Sequence, residues 1–236
     1  MSNFCANEGK KVKIYASGRY FARYSVVTPI IKSGDNLEEI LLPRVSNMLC
    51  KDDILFISEK CVACSQGRAI PVEEIKPRKL AVLLSHFVHK SPYGIGLAIP
   101  ETMEMALREC GTVRILFACA AGVIGKLFGR RGWFYIVAGK SAAAIDGPCT
   151  FTIPPYNCCV VLAPQNPDDV CEKLSAAAGC GVAIVDVNDL GADVLATYPS
   201  NIDNKLIESA LRDNPLGQSC EQTPIGILRE VGGVDI

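Results

Sequence analysis

Histidine is nearly missing from this chain of 236 residues, with His86 and His89 the only two. Both fall on one predicted helix, where they read as surface or packed residues and not as general bases. A charge surplus of either sign is also missing: 24 basic against 25 acidic residues leave a formal net charge of −1. Binding a phosphate backbone usually needs a basic excess, so no nucleic acid is expected as a partner. Long apolar runs are missing too. The longest, Ile115 to Gly125, falls well short of the roughly 20 residues that a hydrocarbon layer takes, and it is expected to be a core element with no membrane partner. Met1 to Ile14 carries Asn3, Asn7, Glu8, Lys10, Lys11 and Lys13 and no apolar stretch of signal-peptide length, which predicts a cytoplasmic protein.

What the chain has in quantity is apolar residues, 49% of the total, and cysteine, with twelve. The apolar share is enough for a sizeable core, and the length predicts one domain with two lobes. The cysteines are scattered in apolar company, as at Cys119 and at Cys158-Cys159, in a chain too long to need staples. They are expected to be reduced thiols acting as small core residues. Cys61 and Cys64 form one C-x-x-C pair, but with no second pair at finger spacing structural zinc is not expected.

The order of elements predicts an α+β fold of mixed sheets with packed helices. Strands are expected at Val12 to Ala16, Phe21 to Val27 and Asp53 to Ser58, and a helix from the turn at Lys32-Ser33-Gly34-Asp35 to Met48, capped by Asp35 with Glu38. Helical spacing runs from Arg78 to Lys90 behind Pro77, and a short helix from Pro100 ends near Gly111. Trp133 to Val137 and a segment toward Asp146 read as strands. Then come a strand at Val160 to Ala163, a helix at Asp168 to Ala178, a strand at Val182 to Asp186, a helix at Ile202 to Arg212 and a strand at Ile225 to Leu228.

Acidic and amide side chains gather on three late segments, Ala144 to Pro148, Val185 to Gly191 and Asn214 to Pro224. Hard oxygen ligands such as Asp146, Asp186 and Gln218 suit Mg²⁺ or Mn²⁺, with substrate phosphates completing the shell. Asp146 before Gly147 could equally be a turn-forming residue. Asp186 follows the apolar run Val182-Ala183-Ile184-Val185, where a carboxylate is costly unless a cation or several donors meet it, and the ligand role is favoured. Asn188 and Asp189 could orient the ligand carboxylates or stand as turn residues before Gly191, and the turn reading is favoured. Gln218, Glu221 and Gln222 could wrap phosphate oxygens or form a solvated loop. Lys126, Arg130, Arg131 and Lys140 could neutralise a polyphosphate or stay solvated. Gly139-Lys140-Ser141 fails as a phosphate loop because the required glycine is Phe134, and Gly94-Ile95-Gly96 lacks the third glycine of a dinucleotide turn.

In this order the acidic segments resemble the gamma-glutamyl ligases of coenzyme F-420 biosynthesis, from Val27 to Arg229. Val27-Thr28-Pro29-Ile30 is similar to that family's nucleotide-binding start, and Asp53 to Arg68 to its strand and S-x-A-E-G-R-like turn, with Glu59 within it. Asp146 and Asp186 match the two metal-binding, catalytic aspartates, and Gly217-Gln218 the third ligand. Gln218 to Pro224, with Ser219, Glu221, Gln222 and Thr223, resembles the guanine nucleotide loop. The resemblance implies a two-lobed ligase-like fold, a homodimer, and a GTP- and divalent-metal-dependent synthesis in which a carboxylate becomes an acyl phosphate and a glutamate amine displaces phosphate.

The chain departs from that pattern at Cys64, Glu59, Cys149 and Val187, where the family has a lysine, a small hydroxyl residue, an asparagine and another hydroxyl residue. Compensation through Lys126, Arg130 or Lys140 is one expectation, and a substrate other than coenzyme F-420 another. Two alternatives stand beside the ligase: a binding protein without turnover, and a phosphohydrolase whose site admits water.

Overall fold

The computed structural model describes residues 6–88, 96–130 and 132–232. The chain divides into two compact units. Unit 1 takes residues 1–67 and 164–236, and unit 2 the intervening 68–163. In chain order, unit 1 opens with β1 (Lys13–Ala16), β2 (Arg19–Val26), α1 (Leu37–Val45), β3 (Ile54–Ser58) and α2 (Glu59–Ser65). Unit 2 holds β4 (Ala69–Pro71), α3 (Lys79–Ser85), α4 (Pro100–Glu109), α5 (Thr112–Leu127), α6 (Trp133–Ala138), α7 (Lys140–Ala143) and β5 (Cys159–Val161). The chain then returns to unit 1 with α8 (Pro167–Ala178), β6 (Gly181–Asn188), β7 (Gly191–Tyr198), α9 (Asn204–Leu211) and β8 (Ile225–Val231). This is an α+β fold, as the order of elements predicts.

The sheet of unit 1 runs β1-β2-β8-β3-β6-β7. Only β3 and β6 are parallel neighbours, and the other pairs are antiparallel. Both faces of its centre are buried, which is why β3 and β6 read as continuous apolar runs. Leu55 and Ile57 of β3 and Val182 and Ile184 of β6 join one core with Leu41, Val62 and Leu174. The alternate residues Phe56, Ala183 and Val185 join a second core with Ile207 and Leu211 of α9. Each such large side chain taken fully out of water contributes about 1.5 to 3 kcal/mol. Gly226 of β8 has to be glycine, because a Cβ there would overlap the Phe56 ring and stand 2.7 Å from the Tyr24 carbonyl.

Charged groups are built into these cores as pairs. Arg229 of β8 grips Asp53 through both carboxylate oxygens, Nε to Oδ1 at 2.8 Å and Nη2 to Oδ2 at 2.7 Å. Arg23, 1% exposed, bonds the Asp213 carboxylate and the carbonyls of Ala210 and Lys11. Unit 2 is mostly helical around a core of Ile75, Leu97, Met103, Ile115, Ile145 and Val160. Its buried charge is Glu104 on α4, which accepts from the Arg78 backbone N–H at 3.1 Å, from Arg78 Nε at 3.0 Å and from Arg108 Nε at 2.8 Å.

Several sequence expectations are corrected. Trp133 to Val137 is helix α6 and not a strand, and before Asp146 stands helix α7 followed by one isolated bridge, Asp146 to Val161. The Ile115–Gly125 run is no closed core element: on α5 only Ile115, Ala118 and Gly125 are buried. Asn36, not Asp35, caps α1, accepting from Glu38 N at 3.0 Å, while Asp35 accepts from Lys32 N at 2.6 Å. Gly111 does not cap α4, whose C-cap is Cys110; with φ +85° it leads directly into α5. Strand β6 continues past Asp186 to Asn188 and turns into β7, which the sequence reading leaves out. His89 and the Tyr93-Gly94-Ile95 stretch lie outside the described residues. None of the eleven described cysteines is in a disulfide. Burial pushes the Cys171 thiol up to about 12 and Cys180 to about 11, so these core thiols stay neutral and unreactive.

Candidate functional site

The strand directions of unit 1 bring distant sequence segments to one end of its sheet. The C-terminal ends of the parallel strands β3 and β6 lie there. Because β8 is antiparallel to both β3 and β2, its start and the end of β2 lie there too, with Ile225 opposite both Ile57 and Val26. Ligand sites favour the carboxyl ends of parallel strands. This end therefore collects Val27-Thr28-Pro29-Ile30 after β2, Glu59 after β3, Asp186 near the end of β6, and the loop 214–224 that feeds β8. Backbone bonds tie them together, Thr28 N to the Gln222 carbonyl at 2.9 Å and Ser58 N to the Pro224 carbonyl at 2.8 Å. Thr28 and Glu59 are buried, while Val27 is exposed.

The loop is held by its own polar side chains. Asn214, fully buried and at φ +53°, donates Nδ2 to the Gly217 carbonyl at 2.9 Å and to Gln218 Oε1 at 2.7 Å. Its Oδ1 is buried without a hydrogen-bond partner. Thr223 Oγ1 donates to the Leu216 carbonyl at 2.7 Å, and Asn7 Nδ2 donates to Thr223 Oγ1 at 2.8 Å. Glu221 accepts from Ser219 N at 2.7 Å and lies so close over Gly217 that a Cβ there would meet its carboxylate carbon at 2.5 Å. Gly217, at φ +83°, is thus required twice over.

Asp186 has a neighbour the sequence reading missed. In the β6–β7 register it stands directly opposite Asp193. Like charges opposite each other across a ladder are destabilising. One step earlier the register slips, Ile184 facing Ala196 and Val185 facing Val194, and this bulge at Leu195 is a device that re-aims side chains beside functional sites. An open depression of about 230 Å³ lies against this turn, lined by Asp186, Asn188, Leu190, Gly191, Ala192 and Asp193. Asn188 Oδ1 accepts from Leu190 N at 2.9 Å, in keeping with its turn reading.

The remaining candidates belong to unit 2. Asp146 is fixed by paired backbone bonds with Val161, each 2.9 Å. Tyr135 of α6 lies within reach of its charge: burial first, then the Asp146 carboxylate, pushes the phenol above its ordinary value. Lys126 donates to the Phe87 carbonyl at 3.4 Å, and Arg130 closes the end of α5 by donating its backbone N–H to the Gly125 carbonyl at 2.8 Å. Both side chains are exposed, as is Lys140. Among the described residues no three His, Cys, Asp or Glu side chains gather as they would around a metal ion.

Asp193, absent from the candidates above, carried a signal, and Asn214 opens a segment already singled out. The turn Asn188-Asp189-Leu190-Gly191 implies a hairpin, and counting back from it places Asp193 opposite Asp186. Asn before Pro215 marks a turn start. Tyr135 carried none, because the helix that presents it was read as a strand.

The element order and the mixed sheet define an α+β scaffold with an acidic strand end in unit 1. Residues 25–189, more than half of the chain, match the F420-0:Gamma-glutamyl ligase family, and the chain belongs to that family. Membership indicates ligase chemistry. The match ends at Asp189, before the loop 214–224. No curated protein matches the chain. Among the described residues no single helix is long and apolar enough to cross a membrane.

Proposed function

We propose that this protein is a metal- and GTP-dependent amide ligase that joins an amino acid such as L-glutamate to a carboxylate through an acyl phosphate. The observation that carries the reading is the convergence at one sheet end of Val27 to Ile30, Glu59, Asp186 and the loop from Gly217 to Thr223, within a chain of this ligase family. In unit 1 a divalent cation, Mg²⁺ or Mn²⁺, would be held by Asp186 with Gln218, and the resemblance assigns the same duty to Asp146 of unit 2. When bound it would neutralise charge on a phosphoryl group in transfer.

The chain's own residues supply orientation. The Asn214 clamp and the Glu221 brace hold the loop, so that the Ser219 and Gln222 side chains meet nucleotide oxygens without reorganisation of its backbone. In the reaction a carboxylate oxygen of the substrate bonds the terminal phosphorus as the bridging P–O bond breaks and GDP leaves. The amine nitrogen then bonds the acyl carbon, the C–O bond to phosphate breaks, and the amine proton passes to solvent. A homodimer is proposed from the family resemblance.

One departure favours the second reading, a nucleotide-binding protein without turnover: Cys64, where the family has a lysine, is buried within α2. The two are separated by incubating the protein with GTP, Mn²⁺, L-glutamate and coenzyme F-420-0. A ligase yields the glutamylated product with one GDP and one phosphate per amide bond. Phosphate released without the amine marks a hydrolase, and nucleotide bound but unchanged marks the binding protein.

A further inference from the structure

Helix α5 presents a physical problem that the ligase reading does not absorb. At about 3.6 residues per turn its buried side is the face of Ile115, Ala118, Gly122 and Gly125. Glycine on that face is dictated by α6: a Cβ on Gly125 would stand 2.9 Å from Trp133 Cγ, and one on Gly122 would stand 3.3 Å from Phe134 Cβ. The opposite face is then left in water, yet it is apolar along its whole length. Val113, Leu116, Phe117, Ile124 and Leu127, with Phe128 just beyond, follow the helical period and are exposed by between 43% and 80%. Ile136 of α6 adds 77% exposure. A helix that is hydrophobic all round is normally buried, and contiguous exposed apolar surface of this kind marks an interaction site.

Charge selects the partner. From Glu109 to Asp146 the sequence holds no acid between them and five basic residues, Arg114, Lys126, Arg130, Arg131 and Lys140. Arg114, Lys126, Arg130 and Lys140 are exposed. A second copy of the chain laid face to face on α5 would bring two such acid-free cationic stretches together. An anionic lipid surface satisfies both the apolar stripe and the cations around it. Sixteen residues of helix measure about 24 Å, short of the ~30 Å hydrocarbon thickness, so the helix lies in the interface and does not cross.

We propose that the α5–α6 face of unit 2 docks on the surface of an anionic bilayer, with Phe117, Ile124, Leu127 and Phe128 entering the headgroup boundary and Lys126 and Arg130 meeting lipid phosphates. This revises the expectation of no membrane partner, which rested on run length alone.

The test is co-sedimentation of the full chain with vesicles of phosphatidylcholine alone and of phosphatidylcholine mixed with phosphatidylserine. The protein should pellet with the anionic vesicles, not with the neutral ones, and less at high salt. Lys126→Gln and Arg130→Gln should each weaken the partition about fivefold. Phe117→Glu should abolish it while leaving the far-ultraviolet circular dichroism and the melting temperature near those of the parent, since Phe117 touches mainly solvent. No pelleting with either vesicle, or equal pelleting of Phe117→Glu, overturns the proposal. So does a parent that ignores vesicles and whose mass by light scattering halves in Phe117→Glu, because the stripe is then a self-contact.

Discussion

Replacing Glu104 by glutamine tests how unit 2 is held together. The Glu104 side chain is 2% exposed, and the two arginines that meet it, Arg78 and Arg108, are about half exposed. Glutamine with its carbonyl oxygen in the Oε1 place keeps Arg108 Nε and Arg78 Nε but sets an amide N–H₂ against the Arg78 backbone N–H, which bonds the other oxygen. The loss is about one charge-assisted hydrogen bond, roughly 1.5 to 3 kcal/mol. At about 2 to 4 °C per kcal/mol for a protein of this size, the melting temperature should fall by about 3 to 12 °C at neutral pH. Burial alone would raise the Glu104 pKa, but the bonds from Arg108 and Arg78 outweigh it and hold the carboxyl below its ordinary value. A depressed native value stabilises the fold above the unfolded pKa and is lost as the pH falls through the native one. The gap between parent and Glu104→Gln should therefore be full above about pH 5 and narrow steadily below about pH 4.3. Melting curves by circular dichroism across that range read both effects. A shift under 1 °C, or a gap that stays constant into acid, would mean that the Glu104 charge does not hold unit 2 together.

Further outcomes follow from the unit 1 sheet end. Asp193→Asn relieves the like-charge pair with Asp186 and should raise metal-free stability by about 0.2 to 1 kcal/mol, while the extra stabilisation given by Mn²⁺ shrinks. Thermal melts with and without Mn²⁺ read both, and a parallel change in the two would argue against a cation at Asp186. Asn214→Ala removes two hydrogen bonds and puts alanine at φ +53°, for a combined cost of about 2 to 4 kcal/mol. Hydrogen exchange should then report faster amides across 215–222, and unchanged protection there would mean that the clamp does not hold the loop.

Much of this fold was legible because the two halves of the sheet signal differently. Val182-Ala183-Ile184-Val185 and Ile54 to Ile57 are continuous apolar runs because both faces of β3 and β6 are covered, and Asp186 stood out as the charge ending such a run. Helices α8 and α9 show period and length together. Helix α6 was misread because Trp133 to Val137 is short, aromatic and β-branched, and periodicity cannot separate a short apolar helix from a strand. Its bounds are set by Gly132 at φ +90° and Gly139 at φ +92°, a tertiary demand invisible in composition. The same holds for α5, where run length predicts burial and only packing reveals that one face stays open. Asp186 facing Asp193, the bulge at Leu195 and the Asn214 clamp depend on register and on contacts between distant segments, which no local pattern encodes.

The proposed site at the sheet end of unit 1 binds nucleotide only together with a divalent cation. Calorimetric titration of GTP into the purified protein, with and without Mn²⁺, tests it most directly, using the parent chain and Asp186→Ala side by side. GTP binding should require Mn²⁺ and be lost in Asp186→Ala while the variant remains folded. GTP binding of equal strength in Asp186→Ala, or none by the parent with Mn²⁺ present, would contradict it.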